Sequence, residues 1–166
     1  MYGDFREDAL SEFDACSDIP AAIYFRELDK RYPGSKFILT TRDEQGWLKS
    51  TREWWEKTPP SSKNTLFRDM VRLAAYGSAA YCNDRFLRRY RDHVAQVRDY
   101  FSQTPGSLLE LDVSDNDKWN KLSSFLAIQQ PAMKYPHARS PNLGEFQAVS
   151  RAELPDKRSK LIAALA

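Results

Sequence analysis

The chain has 166 residues, a length typical of one domain with a real hydrophobic core and short for two. Hydrophobic residues make up 42% of it and aromatic residues 13%, proportions that exclude a disordered or low-complexity protein. With 25 basic against 23 acidic residues the net charge is +2, so the overall charge favours neither nucleic acid nor an anionic membrane as a partner. We therefore predict a single domain over residues 1–166, in which any anion site is local.

Targeting and metal-binding signals are absent from the sequence. No basic segment followed by an apolar run opens the chain, and no stretch approaches the roughly 20 apolar residues that cross a bilayer. Cys16 and Cys82 lack CxxC spacing, and the two histidines, His93 and His137, lack ligand-like spacing to cysteines or carboxylates. We expect a cytoplasmic protein with two reduced, partly buried thiols and no metal.

The first half of the chain alternates short apolar runs with helical patterns. Residues 12–17 predict a short strand, after which Asp18 is a candidate N-cap for a helix that continues to Pro33 and Gly34. The run KFILTT at 36–41 predicts a buried strand of a parallel sheet, since it is short, apolar and β-branched after a turn. A new helix begins behind it, with Asp43 as its predicted N-cap.

The second half continues this alternation. Apolar periodicity and turn residues predict helices over 65–75, 84–101, 116–127 and 155–165, a strand over 107–113, and a surface loop over 129–142. Strands that alternate with helices predict an α/β fold, a three-layer parallel sheet flanked by helices. The arginines of the 84–101 helix favour a solvated face over a nucleic-acid surface, because aspartates interrupt them.

The junction TTRDEQGWLKS after the 36–41 strand contains the first candidate site. Open α/β sheets bind ligands beyond the carboxyl ends of their strands, and Arg42 stands at that edge. Ser50 follows eight residues later, within the next helix, where its hydroxyl could join the Arg42 guanidinium in holding one phosphate. On the residues alone, a salt bridge for Arg42 and no role for Ser50 remain open.

A strand KFILTTRD, a tryptophan, and a serine eight residues beyond the arginine resemble the 3′-phosphate-binding segment of sulfotransferases. The resemblance implies a P-loop NTPase-like fold, with Arg42 and Ser50 holding the 3′-phosphate of 3′-phosphoadenosine 5′-phosphosulfate (PAPS), the sulfuryl donor. It continues through the 90–101 helix, LLELDV and DKWNKLSSFLA, and KYPHARS at 134–140 is similar to the closing segment of a small bacterial and fungal branch. The likeness covers roughly residues 13–142.

Two positions depart from the cytosolic members of that family. Leu111 stands where those relatives have an adenine-contacting tyrosine, so the base contact is open. Their Arg-Lys-Gly segment, which binds the 3′-phosphate, has no match here, and Arg139 in the 129–142 loop is the candidate to replace it.

The segment SDIPAAIYFREL resembles the place where this branch carries an acidic residue two positions before a proline. Asp18 occupies that position and is the candidate general base, in the role that a histidine has in cytosolic relatives. A purely structural N-cap is the alternative reading. The tryptophans at 47, 54 and 55 are interpreted first as helix packing and second as a wall of an acceptor pocket.

The glycine-containing loop that contacts the 5′-phosphosulfate in the family has no match between Met1 and Ser11, nor elsewhere in the sequence. In the family the strand before that loop lies inside the sheet, beside the one at 36–41. Its absence predicts an exposed edge, to be covered by residues 1–17, by the C-terminal segment, by a homodimer or by a partner chain. The chain is then a fragment or late-start form of an enzyme with a small-molecule acceptor, an enzyme completed by a partner, or a non-catalytic nucleotide-binding or interaction module.

Overall fold

A computed structural model describes residues 14–57, 65–135 and 161–165. Its four strands are β1 (Ala15–Cys16), β2 (Lys36–Thr41), β3 (Leu108–Asp112) and β4 (Leu161–Leu165). All neighbouring strands are parallel, and the order across the sheet is β1-β4-β2-β3. Helices connect the strands along the chain, so the predicted α/β class and parallel sheet are confirmed.

The strand β2 lies inside the sheet, as its apolar sequence predicts. Phe37, Ile38 and Leu39 are all buried, which explains why three apolar residues follow one another instead of alternating with polar ones. On one side β2 pairs with β3, in a register that sets Phe37 against Leu108. The predicted strands at 36–41 and 107–113 are thus confirmed, the second with slightly narrower bounds.

The strand β4 bears on two predictions, the C-terminal helix and the exposed edge of β2. Residues 161–165 were expected to end a helix, but they form a parallel strand between β1 and β2. A run of five apolar residues suits a helix or a buried strand equally well. Here the unpaired edge of β2 offers backbone hydrogen-bond partners, so the segment pairs with β2 as a strand. The C-terminal segment therefore covers the edge of β2 that the sequence predicted to be exposed.

The described helices are α1 (Ile19–Ile23), α2 (Phe25–Arg31), α3 (Glu44–Lys57), α4 (Thr65–Tyr76), α5 (Asn83–Tyr100) and α6 (Lys118–Leu126). The prediction of one helix from Asp18 to Tyr32 is wrong, because the backbone leaves the helical region at Tyr24 and separates α1 from α2. Gly34 and Gly77 follow α2 and α4 with φ of 80° and 72°, so both predicted helix ends are confirmed.

The hydrophobic core lies between β2, α2 and α5. Phe37 of β2 contacts Phe101, just beyond α5, with ring centroids 4.7 Å apart, and Phe25 packs beside them. Fully burying each such ring contributes about 1.5–3 kcal/mol, so this cluster fixes where α5 crosses the sheet. None of the helices in the described part of the chain combines the length and apolarity needed to cross a lipid bilayer.

Two arginines on the outer side of α5 pair with glutamates of other elements. Arg91 donates two hydrogen bonds to Glu44 of α3, at 2.7 and 2.6 Å, and Arg98 pairs in the same two-pronged way with Glu110 of β3. The four side chains are 38–59% exposed, so solvent screens both pairs and each contributes little to stability. The two pairs orient α5 relative to α3 and β3.

Candidate functional site

The backbone at the carboxyl end of β2 is held by a tyrosine of α5. The Arg42 N–H donates to the Tyr90 hydroxyl oxygen at 3.0 Å, and the Tyr90 hydroxyl donates in turn to the Arg42 carbonyl at 2.7 Å. One buried side chain therefore satisfies both backbone groups of Arg42 where the strand ladder ends. This contact fixes the start of the Arg42 side chain relative to the sheet.

The side chain of Arg42 lies over the first turn of α3. Asp43 caps this helix, as predicted, by accepting a hydrogen bond from the Gly46 N–H at 2.6 Å. The Arg42 Nε lies 3.9 Å from the other Asp43 carboxylate oxygen, and the Arg42 side chain is 43% exposed. Arg42 therefore forms the salt bridge that the sequence left open, and its side chain stays partly exposed at the sheet edge.

Gly46 allows Arg42 to take this position. A Cβ atom on Gly46 would lie 2.8 Å from the Arg42 Nε and 2.4 Å from the Asp43 Oδ2. Ser50 is half-buried in the next turn of α3, four residues beyond Gly46, so the two residues share one face about 5–6 Å apart. Arg42 therefore lies over the helix face that also carries Ser50, and Gly46, which the sequence analysis did not single out, leaves room for it.

We expect Gly46→Ala to weaken binding of 3′-phosphoadenosine 5′-phosphate (PAP), the desulfated donor, by roughly tenfold. Alanine improves the helix by about 0.5–1 kcal/mol, but its methyl group displaces the Arg42 Nε and the Asp43 cap, whose loss costs about 1 kcal/mol. The free energy of unfolding should therefore hardly change while the affinity for PAP falls.

Gly106→Ala is the control, since no atom of another part of the chain lies within 4 Å of its Cβ position. Thermal melts of both variants measure stability, and calorimetric titration measures the affinity for PAP. Unchanged affinity in Gly46→Ala would contradict this role of the glycine.

Asp18 directly precedes α1 and has a left-handed backbone, with φ of 78°. Its Oδ1 accepts a hydrogen bond from the Ile19 N–H at 2.8 Å, and its carbonyl accepts one from the Ala22 N–H at 3.2 Å. Asp18 thus lies at the start of a helix, but its side chain accepts from the first helical N–H and not from the second or third, the bond that defines an N-cap. An aspartate tolerates positive φ better than most residues, although the conformation remains uncommon outside glycine.

The Asp18 side chain also lines a cavity of about 250 Å³ between α1, α2, α3, α4 and α5. Trp47 and Tyr90 form one wall, with ring centroids 4.7 Å apart, and Tyr76 of α4 contributes another. Burial raises the pKa of the Tyr76 hydroxyl, and the negative charge of Asp18 raises it further. Because Tyr90 holds the Arg42 backbone and also walls this cavity, it connects the two parts of the site.

Two of the three candidate tryptophans lie outside this cavity. Trp54 and Trp55 do not line this cavity; they pack around Arg72 of α4, whose guanidinium lies 4.1 Å from the Trp55 ring centre. Of the three tryptophans, Trp47 lines this cavity. Arg139 lies outside the described residues, so its role stays a prediction.

The late strand β3 ends beside the site without a tyrosine. Leu111 is buried in the sheet, and the Asp112 carboxylate accepts hydrogen bonds from the Ser114 hydroxyl and backbone, which lower the pKa of Asp112. Asp112 is therefore engaged in shaping the turn after β3. Across residues 14–57, 65–135 and 161–165, no group of three or more His, Cys, Asp and Glu side chains is placed to hold a metal ion.

The described part of the chain is a parallel α/β sheet with an arginine at the carboxyl end of an interior strand, the edge at which open α/β sheets place their ligands. The sequence profile described as "Sulfotransferase domain" matches residues 3–142, and the chain belongs to the sulfotransferase family. "Ava biosynthesis cluster protein M" from Aspergillus versicolor is 28% identical over 149 residues, which cover 79% of this chain and 56% of that relative. The chain thus spans about half the length of the curated relative that it matches.

Proposed function

We propose that the protein transfers a sulfuryl group from PAPS to a hydroxyl or amine of a small-molecule acceptor. The observation that carries this proposal is the position of Arg42, over Gly46 and on the same face of α3 as Ser50. A partly exposed guanidinium and a hydroxyl one helical turn beyond Gly46 suit the charge and the acceptor oxygens of a phosphate. The proposal extends to a single three-layer, P-loop-like domain over residues 1–166.

Each candidate residue has a separate part in this reaction. Arg42 and Ser50, with Arg139, bind the 3′-phosphate and orient the donor, which supplies the sulfuryl group. Asp18 accepts the proton of the acceptor hydroxyl as the oxygen bonds to sulfur and the bond from sulfur to the 5′-phosphate oxygen breaks, with its electron pair going to that oxygen. No metal is required, since positioning and local charge carry such transfers.

Two features support a small acceptor and one favours a different function. The relative's name refers to a biosynthesis cluster, and the cavity beside Asp18 is of small-molecule size. Conversely, β4 lies beside β2, where the resemblance expects the strand that carries the 5′-phosphosulfate loop. That position favours the second candidate function, a non-catalytic relative that binds the nucleotide or a protein partner.

Calorimetric titration with PAP tests the first function. We expect binding by the full chain and a loss of about 10–100-fold in Arg42→Ala, because a charged hydrogen-bonding group contributes about 1.5–3 kcal/mol. Arg88→Ala is the matched control, an exposed arginine of α5 outside the cavity. A folded chain that binds no PAP, or binds it equally well in Arg42→Ala, would refute the nucleotide site.

Transfer of labelled sulfuryl groups from PAPS then separates the two candidate functions. Turnover that Asp18→Asn abolishes, with PAP binding intact, supports the enzyme. PAP binding without turnover in the wild-type chain supports the non-catalytic module.

A further inference from the structure

The ion pair between Arg42 and Asp43 leaves the candidate anion site without a net positive charge. The Arg42 Nε lies 3.9 Å from the Asp43 carboxylate, so the two opposite charges largely cancel for a ligand beside them. A phosphate monoester carries a charge of about −1.5 to −2 at pH 7. Arg42 and the Ser50 hydroxyl can donate hydrogen bonds to such a group, but a further cation is needed to balance its charge.

Other ionic side chains of α3 are already engaged. Glu44 accepts two hydrogen bonds from Arg91 of α5, and Arg52 donates one, at 3.1 Å, to the side chain of Asn83 at the start of α5. These contacts join α3 to α5 and add no charge to the anion site. The first two turns of α3 contain one further cation, Lys49.

Lys49 stands on the part of α3 that faces the Arg42 guanidinium. It lies three residues after Gly46 and directly before Ser50, and residues three or four apart on a helix have Cβ atoms about 5–6 Å apart. Helical side chains lean towards the N-terminus, so Lys49 and Ser50 both lean towards the turn that contains Gly46. Since Gly46 has no side chain, that turn is occupied by Arg42. The three polar groups therefore surround one place on the helix surface.

The Lys49 side chain is exposed, and in the described part of the chain no ion pair engages its ammonium group. This includes Glu53, the acidic residue four positions further along α3. A lysine ammonium is a compact charge with three donors on a flexible four-carbon stem. It can therefore move onto a bound anion without first breaking a salt bridge.

We propose that Lys49 is a further phosphate-binding residue, which supplies the net positive charge that the pair of Arg42 and Asp43 lacks. The proposal rests on the proposed function for the identity of the ligand, the 3′-phosphate of PAPS. Lys49 approaches the phosphate oxygens from one side of Gly46 and Ser50 from the other. Affinity then depends on the charge at position 49, and this dependence offsets the carboxylate at position 43.

Calorimetric titration of the full chain with PAP tests this role. We expect Lys49→Met, which removes the charge and keeps an unbranched side chain, to weaken PAP binding by about tenfold. Lys49→Arg should stay within about threefold of the wild type, because it keeps the charge. Lys30→Met, a change at an exposed lysine of α2, is the matched control. Adenosine 5′-phosphate lacks the 3′-phosphate and should bind the wild type and Lys49→Met alike.

Two further measurements separate an effect of charge from a general weakening of α3. Asp43→Asn removes the opposing charge while asparagine still caps the helix, so adding it to Lys49→Met should recover most of the affinity for PAP. The difference between the wild type and Lys49→Met should also shrink at about 1 M salt, where the Debye length is about 3 Å. The melting temperature of Lys49→Met should match that of the wild type, since the side chain is exposed.

Two results would overturn the assignment: PAP affinity that Lys49→Met leaves unchanged, or an equal loss of affinity for adenosine 5′-phosphate. If Arg42→Ala still loses PAP in the first case, the nucleotide site stands and the role of Lys49 alone fails. If the wild type binds no PAP, inorganic phosphate is titrated and followed through the backbone NMR signals of residues 42–50. Shifts that Lys49→Met removes would keep the anion site and refute the nucleotide, whereas no shifts in the wild type would refute both.

Discussion

Replacing Ile162 with proline is expected to destabilise the fold by at least about 3 kcal/mol and to lower the melting temperature by roughly 6–12 °C. Ile162 is the second residue of β4 and pairs with Cys16 on one side and Phe37 on the other. Proline has no N–H to donate, and its ring interferes with close strand pairing, so it is not tolerated in an interior strand. Among the described strands β1 pairs with β4 alone, so the change also disrupts the pairing that joins β1 to the sheet.

Ile162→Val is the matched control, because it keeps the backbone N–H and a β-branched side chain suited to a strand. Circular dichroism melts of the two variants and the wild type measure the difference. An Ile162→Pro variant that melts with the wild type would show that β4 contributes nothing to stability, and the sheet order β1-β4-β2-β3 would then be wrong.

The contrast between β2 and β4 shows which parts of the fold local sequence determines. β2 is a short apolar, β-branched and aromatic run between a glycine turn and a capped helix, so its type and bounds follow from neighbouring residues. β4 is a run of leucine, isoleucine and alanine that suits a helix equally well. Its structure depends on an open edge formed more than 100 residues earlier, which no local pattern contains.

The residues of the candidate site also differ in whether local sequence or long-range contacts reveal them. The eight-residue spacing of Arg42 and Ser50 and the Asp43 cap are local features, so all three residues could be singled out from the sequence, and the structure confirms the cap. No local pattern singles out Tyr90, because its two hydrogen bonds to Arg42 join residues 48 apart in the chain. Gly46 carried a usable signal, a glycine three residues after a capping aspartate, but its contact with Arg42 is visible only in three dimensions.

Removal of the Tyr90 hydroxyl gives the second large effect. In Tyr90→Phe the Arg42 N–H and carbonyl both lose their partner in a part-buried place, and each unsatisfied group costs about 1–3 kcal/mol. We expect a loss of about 2–4 kcal/mol in the free energy of unfolding. Affinity for PAP should also fall, since the backbone that aims the Arg42 guanidinium is no longer fixed.

Tyr100→Phe provides the comparison, because Tyr100 is the last residue of α5 and its hydroxyl donates a single bond, at 2.9 Å, to the Asp29 side chain. It should lose about 1 kcal/mol or less, since Asp29 can turn towards water, and it should bind PAP as the wild type does. Chemical denaturation and PAP titration of both variants separate a general weakening of α5 from a specific effect on Arg42. Equal losses of PAP affinity in the two variants would mean that the tyrosine at 90 only supports the helix and does not position the anion site.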